Sequence, residues 1–435
     1  MSRRIVDVIT MGCSKNLVDS ERLMTMFESA GVDIYHNPGN LHGDIAVVNT
    51  CGFIGDAKEE SINMILSLCE KKDQGNLQKV YVMGCLSERY RTELEAEIPE
   101  VDKFYGKFDW EKILSDLKLE TISVCDKTRC LTTPSHYAFV KISEGCNRHC
   151  AYCAIPIITG KHRSRPIENI LQEVRELVSK GVKEFQIIAQ ELTYYGIDLY
   201  GKQYIAELVD KMAKIEGVEW IRLHYAYPNN FPMDLLPVIR DNKNVCKYLD
   251  IALQHISNSV LSRMLRHTTK EETIALIEKI RCEVPGITLR TTLMVGFPGE
   301  SQAEFDELAD FVKKMKFDRM GAFAYSEEDG TYAAENYVDN VSDVVKQERL
   351  DSIMKIQENI MTELNLKKEG HIFTTIIDRK EGEYYVGRTE ADSPDVDCEV
   401  LIPIKDRTLK IGNFYRVRIN SADTFDLYGS VIEAC

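Results

Sequence analysis

Three cysteines within one short run carry the strongest chemical signal in this chain. Cys146-Asn-Arg-His-Cys150-Ala-Tyr-Cys153 has C-x3-C-x2-C spacing. Thiols so close in sequence can hold three irons of a 4Fe–4S cube and leave one iron open. With His149 or a distant residue as fourth ligand, the same run would suit zinc. Three ordinary thiols are the plain alternative, although clustered cysteines seldom arise from packing. The spacing favours iron–sulfur over zinc and leaves the alternatives open.

A second set is dispersed. Cys13, Cys51 and Cys85 each follow a β-prone run, in Ile-Thr-Met-Gly-Cys13, Val-Val-Asn-Thr-Cys51 and Tyr-Val-Met-Gly-Cys85. Their separations, 51 − 13 = 38 and 85 − 51 = 34, match roughly one ~30-residue βαβ unit each. In a parallel sheet such positions share the carboxyl edge, where binding crevices form. Three thiols distant in sequence can therefore converge; small residues in tight turns, with Gly12, Gly52 and Gly84 beside them, are the competing account. The other seven of the 13 cysteines are read as packing or surface residues. Cys69 and Cys282 fall in helical patterns, Cys246 precedes a strand, Cys398 lies in a β-prone stretch and Cys435 is terminal. Cys125 and Cys130 lie in a linker.

The elements that must position these thiols fall into three series, as a length of 435 residues leads one to expect. Residues 1–125 alternate strands (5–10, 45–49, 80–83) with helices (18–30, 57–70, 88–98), a doubly wound parallel sheet. Ser14 or Asn16 is the expected cap of the first helix. Residues 132–366 hold six strand candidates (138–142, 184–189, 220–224, 248–252, 288–295, 318–323). Helical patterns at 166–179, 205–215, 258–265 and 271–281 separate them, so this part reads as a full or partial (β/α) barrel followed by a charged helix over 343–366. Residues 370–435 carry short β-prone stretches (373–377, 384–386, 399–402, 414–419) split by Gly, Asp and Pro, the texture of a small antiparallel barrel.

Composition narrows the class. Hydrophobic residues at 44% and charged residues at 28% describe a globular chain. No apolar run reaches the ~20 residues of a membrane span, and the first ten residues make a poor signal peptide because an acid interrupts their apolar stretch. A cytoplasmic protein with reduced thiols is expected. Net charge is 54 − 69 = −15, which opposes nucleic acid and favours basic partners.

The motifs together resemble a known family. The Cys146–Cys153 run, with an aromatic before its last cysteine, is similar to the radical S-adenosylmethionine superfamily. With three upstream cysteines on an α/β domain and a small β tail, the whole chain resembles the methylthiotransferases of that superfamily. The closest likeness is to the RimO-type branch, which modifies small-subunit ribosomal protein number 12. The residues that carry it are Gly12-Cys-Ser-Lys-Asn-Leu-Val-Asp-Ser-Glu21, Asn49-Thr-Cys-Gly-Phe-Ile54, Ala57-Lys-Glu-Glu-Ser61, Gly84-Cys-Leu-Ser-Glu-Arg89 and Glu144-Gly-Cys-Asn-Arg-His-Cys150. Ile155–Arg165 and Val295-Gly-Phe-Pro-Gly-Glu300 are shared more widely in the family.

The resemblance implies a radical SAM barrel between a methylthiotransferase N-terminal domain and a TRAM domain. It implies two 4Fe–4S clusters: Cys146, Cys150 and Cys153 hold the one that binds and cleaves S-adenosylmethionine, and Cys13, Cys51 and Cys85 hold an auxiliary one for sulfur delivery. Tyr152 and Gly296 are candidate S-adenosylmethionine contacts, and no catalytic residue is assigned beyond the cluster ligands. Lys161, Arg163 and Arg165 are candidates for meeting a carboxylate, with a solvated charge run as the alternative. Gln190-Glu191 draws notice by its place at a strand end. The implied reaction adds a methylthio group to the β-carbon of an aspartate in that ribosomal protein, with an electron donor as a further partner.

The sister reaction, on an adenosine in transfer RNA, is the alternative. An iron–sulfur carrier is a third reading, disfavoured by two cysteine sets and a barrel. From Gly370 to Cys435 the chain has 8 Lys+Arg and 12 Asp+Glu, net 8 − 12 = −4. Phosphate binding needs basic side chains, so an acidic tail suits a basic ribosomal protein better. The run 390–399, with five acids and no base, is the expected contact, with a solvated turn as the alternative.

Overall fold

The structure, a computed structural model, describes residues 4–120 and 129–434; Met1, Cys125 and Cys435 lie outside the described residues. Five parallel strands form the N-terminal sheet in the order Asp33–His36, Ile5–Thr10, Ile45–Thr50, Lys79–Gly84, Lys103–Phe104. Alternation along each strand serves two cores. Ala46, Val48, Val80 and Val82 face one, with Ile65 and Leu68 of helix Gly55–Asp73. Ile45, Val47, Tyr81 and Met83 face the other, with Leu23 and Phe27 of helix Ser14–Ser29. The chain departs to opposite faces after Ile5–Thr10 and after Ile45–Thr50, two adjacent strands, which opens a crevice at their carboxyl ends. Two short strands, Asp33–His36 and Lys103–Phe104, were not expected; both are edge strands without an apolar run.

The middle of the chain is a partial barrel. Its six parallel strands stand in chain order: Tyr137–Lys141, Glu184–Ile188, Trp220–Ala226, Val245–Gln254, Thr288–Val295 and Arg319–Ala324. Helix Asp343–Leu366 matches its expected span and packs on the last strand. Helix Gln302–Met315 went unpredicted, although Ser301 and Glu304 form a capping box at its start.

The tail closes into a five-stranded barrel. One pair departs from the antiparallel expectation: Glu399–Pro403 runs parallel to Asp426–Ala434, a strand not predicted because its polar and apolar residues mix. The tail packs near the amino ends of the barrel strands, where Phe414 meets Trp220 edge-on at 4.9 Å. The N-terminal domain covers the carboxyl ends, through contacts such as Lys141, the last residue of its strand, with Asp19. Function is therefore expected at the covered carboxyl face.

Candidate active site between two cysteine triads

Cys13, Cys51 and Cys85 follow three neighbouring strands and converge at the crevice. Gly12 (φ 86°) makes the approach possible, since a Cβ there would lie 2.7 Å from Cys51 Cβ and 2.9 Å from its sulfur. Cys13, and neither Ser14 nor Asn16, is the helix N-cap residue, with no side-chain cap bond. Asn16 does something else. Its amide donates to Met11 O at 3.1 Å and Thr50 O at 3.0 Å, and its oxygen accepts from the Cys85 thiol at 3.4 Å. One buried side chain thus ties together all three cysteine loops.

Cys146, Cys150 and Cys153 leave the first barrel strand through the two-stranded pairing of Ser143–Glu144 with Arg163–Ser164. Gly145 (φ 71°) passes so close that a Cβ would lie 2.2 Å from Lys161 O. The Arg148 N–H donates to Cys146 sulfur at 3.3 Å. Arg148 also bonds Glu191 at 3.2 Å and stacks over Tyr227 at 4.3 Å. Arg266, 2% exposed, donates to Cys150 sulfur at 3.4 Å and Tyr152 Oη at 3.3 Å, and its guanidinium also lies 4.1 Å from the Tyr227 ring centroid.

The triads meet across the domain boundary. Cys85 packs with Ala154, the neighbour of Cys153, and with Ile158 of helix Ile155–Thr159. Beside this contact, Lys107 of the N-terminal domain lies 3.6 Å from both Asp19 and Glu144, and Lys141 pairs with the same two acids. Burial pushes the Cys85 thiol up to about 12, opposed by the Lys107 ammonium and reinforced by the Cys13 and Cys51 thiols. Burial likewise pushes Cys146 up to about 12, with the Arg148 N–H opposing, and raises Cys153, with Cys150 and Cys146 adding to the shift.

These donor sets suit iron–sulfur clusters. Each comprises three free thiols, with nearby N–H groups or cations to stabilise the thiolates that metal binding creates. Among the described residues no three Cys, His, Asp or Glu side chains converge on a single-ion position. A four-iron cube, with one thiolate on each ligated iron, does not require that.

The remaining candidates divide. Tyr152 stands in the site, T-shaped against Phe297 at 6.5 Å. Gly296 lies in the turn after strand Thr288–Val295; its N–H donates to Glu300 at 2.7 Å, and Lys346 fills the space where a Cβ would go. Lys161 is exposed, and Arg163 lies over Phe108 at 5.9 Å. Arg165 pairs with Glu173 at 2.7 Å, inside the protein. Glu191 holds Arg148 and takes the Thr193 N–H at 2.7 Å, while Gln190 is half-buried. The sequence reading missed Asn16, Lys107, Tyr227 and Arg266. Asn16 and Lys107 lie near the triad in the fold, and only Asn16 is close to a cysteine in sequence. A cavity of about 610 Å³, lined by residues including Arg4, His42 and Lys79, opens at the amino ends of the N-terminal strands, away from both triads.

Fold and site define a radical S-adenosylmethionine enzyme. Residues 140–312 match the radical SAM superfamily, residues 5–106 the uncharacterized protein family UPF0004, and residues 370–432 the TRAM domain. The ribosomal protein uS12 methylthiotransferase RimO of Bacteroides fragilis is 62% identical over 432 residues, covering 99% of this chain and 100% of the relative. Its counterpart from Porphyromonas gingivalis is 57% identical, with 100% of each chain covered. The chain belongs to the RimO family of methylthiotransferases. Among solved structures, a radical S-adenosylmethionine methyltransferase from Kitasatospora setae, TsrM, shares the fold at a TM-score of 0.56, with 13% identity and 77% of each chain covered. S-adenosylmethionine and 4Fe–4S clusters are the cofactors that go with this membership.

Proposed function

We propose that this chain adds a methylthio group to the β-carbon of an aspartate in ribosomal protein uS12. The observation that carries this reading is the meeting of two cysteine triads from different domains at the carboxyl face of the barrel. Cys146, Cys150 and Cys153 would hold one cluster and Cys13, Cys51 and Cys85 the auxiliary one, each leaving one iron for another ligand. When bound, these groups and S-adenosylmethionine supply the radical and the sulfur that an unactivated C–H bond requires.

The chain's own residues provide the surroundings. Arg148 and Arg266 stabilise negative charge on Cys146 and Cys150. Tyr152, Tyr227 and Phe297 keep the site dry on the barrel side. Tyr152 and Gly296 are the proposed neighbours of S-adenosylmethionine, Gly296 through its carbonyl oxygen, since its N–H is taken by Glu300. The working units are 1–125, 132–366 and 370–435, with an electron donor as a further partner. Membership of the RimO family favours uS12 over transfer RNA.

Replacing each triad by alanine tests the assignment. Loss of Cys13, Cys51 and Cys85 should leave reductive cleavage of S-adenosylmethionine to 5′-deoxyadenosine but no methylthiolated uS12. Loss of Cys146, Cys150 and Cys153 should abolish the cleavage itself. An anaerobic assay with dithionite follows both products together, and iron should fall from about eight to about four per chain in either variant. Methylthiolated product from the N-terminal variant would return its cysteines to the role of turn residues.

A further inference from the structure

Lys15 stands two positions after Cys13, in the first turn of helix Ser14–Ser29. The residue is 7% exposed. The ammonium crosses the domain boundary and sits 3.3 Å from the ring centroid of Tyr225, at the carboxyl end of strand Trp220–Ala226. Tyr225 holds a left-handed backbone (φ 66°), a conformation that costs a non-glycine residue about 1–3 kcal/mol and clusters at functional sites.

The ring is an incomplete partner. A cation–π contact contributes about 0.5–2 kcal/mol, and it leaves all three ammonium protons free to meet a carboxylate. Among the described residues, no carboxylate forms an ion pair with Lys15 and no acceptor takes its protons. Asp250 is the nearby acid, on the adjacent strand Val245–Gln254, yet its carboxylate accepts from the Tyr225 N–H at 3.3 Å. Burial pushes its carboxyl up to about 6, against the pull of Arg290 and Lys15. His224, also near Lys15, is driven by burial toward its neutral form. The chain thus holds, beside the Cys13 loop, a largely buried lysine whose ammonium caps an aromatic ring and has no ion-pair partner among the described residues, Asp250 feeling its charge without reaching it.

We propose that Lys15 receives the side-chain carboxylate of the substrate aspartate and so presents its β-carbon to the space between the triads. This rests on the aspartate reading above and adds the residue that selects it. A hydrogen bond from an ammonium to a carboxylate is roughly twice as strong as a neutral one. An asparagine in the same place forfeits that charge assistance and leaves the ammonium unneutralised.

The test uses the full chain, reconstituted anaerobically, with two probes: uS12, and uS12 whose modified aspartate, located by mass spectrometry of uS12 isolated from cells, is replaced by asparagine. Wild-type protein should bind the aspartate form at least about tenfold more tightly, equivalent to 1.4 kcal/mol. Lys15→Met should erase that preference, Lys15→Arg should restore most of it, and iron content and visible spectrum should stay as in the wild type. Equal binding of both probes by the wild type overturns the proposal whatever the variants do. So does a preference that survives in Lys15→Met, or Lys15→Met losing its iron. If the wild type prefers the aspartate form yet methylthiolates nothing on uS12, the function reading fails and the carboxylate contact stands.

Discussion

Asn16 is a short amide with three jobs, and none of them is visible from its neighbours in sequence. Each of its bonds ends on a different cysteine loop, so its loss leaves a carbonyl at Met11 and one at Thr50 without their donor. Buried groups left unsatisfied cost about 1–3 kcal/mol each. Asn16→Ala should therefore lower stability by about 2–6 kcal/mol and shed iron from the N-terminal triad while the barrel triad keeps its own. Iron analysis with denaturant unfolding checks this; unchanged iron would make Asn16 a packing residue only. Arg266 is its counterpart in the barrel, holding a thiol, a phenol and an aromatic face with one guanidinium.

Among the elements, the turn after strand Thr288–Val295 shows how a motif can act through its own backbone. Glu300 Oε2 accepts from Gly296 N at 2.7 Å and Phe297 N at 3.2 Å, Oε1 accepts from Arg349 at 3.0 Å, and His255 lies 3.7 Å away. Burial nevertheless wins over Arg349 and pushes the Glu300 carboxyl from 4.5 up to about 7. The folded chain then keeps a proton that the unfolded chain has already lost between these values. Stability from this group is present below pH 4.5 and falls as pH rises toward 7, by about 1.4 kcal/mol for each unit separating the two pKa values. Melting temperature against pH should fall more steeply through that window for the wild type than for Glu300→Gln. Parallel curves would show that Glu300 is ionised throughout.

At the scale of the whole molecule, the tail is locked to the barrel by buried charge. Glu184, at the start of its strand, takes Arg388 of the tail at 2.7 Å and Arg222 at 3.2 Å, and Arg388 also holds Asp378 at 2.7 Å. The acidic run expected to meet a basic substrate is largely consumed here. Asp392 pairs with Arg319, and Asp397 with Arg290 at 2.7 Å and the Tyr248 hydroxyl at 2.8 Å; both carboxylates are fully buried. Glu399 pairs with Arg379 at 2.6 Å, which leaves Glu390 and Asp395 as the exposed acids of this run without an ion pair among the described residues. The run is therefore an internal clamp, because strand-start arginines of the barrel offer charge that a surface turn alone does not reveal. Removing one partner of a buried pair costs about 3–5 kcal/mol. Glu184→Gln, which removes the carboxylate shared by Arg388 and Arg222 and leaves Arg388 with Asp378 alone, should destabilise by up to that amount in denaturant titrations and expose the tail to proteolysis before the barrel. Cleavage of tail and barrel at equal rates would show that the clamp is not what joins them.

Much of this was legible in the sequence, for physical reasons. Strand and helix periods report one-sided burial, so the three series, five of six barrel strands within about two residues and the helix over 343–366 could be read directly. Cysteines at successive strand ends of a parallel sheet must share one edge, which made the dispersed triad readable from spacing. The short edge strands escaped because they bury too little to leave a period. What only the tertiary structure decided are the meetings between elements far apart in the chain: Cys85 against Ala154, Lys15 against Tyr225, Arg266 against Cys150, Asp392 against Arg319. Periodicity says which side of an element is buried, but not against what. A buried charge or thiol takes its chemistry from the partner that faces it, and that partner is chosen when the three domains close on one another.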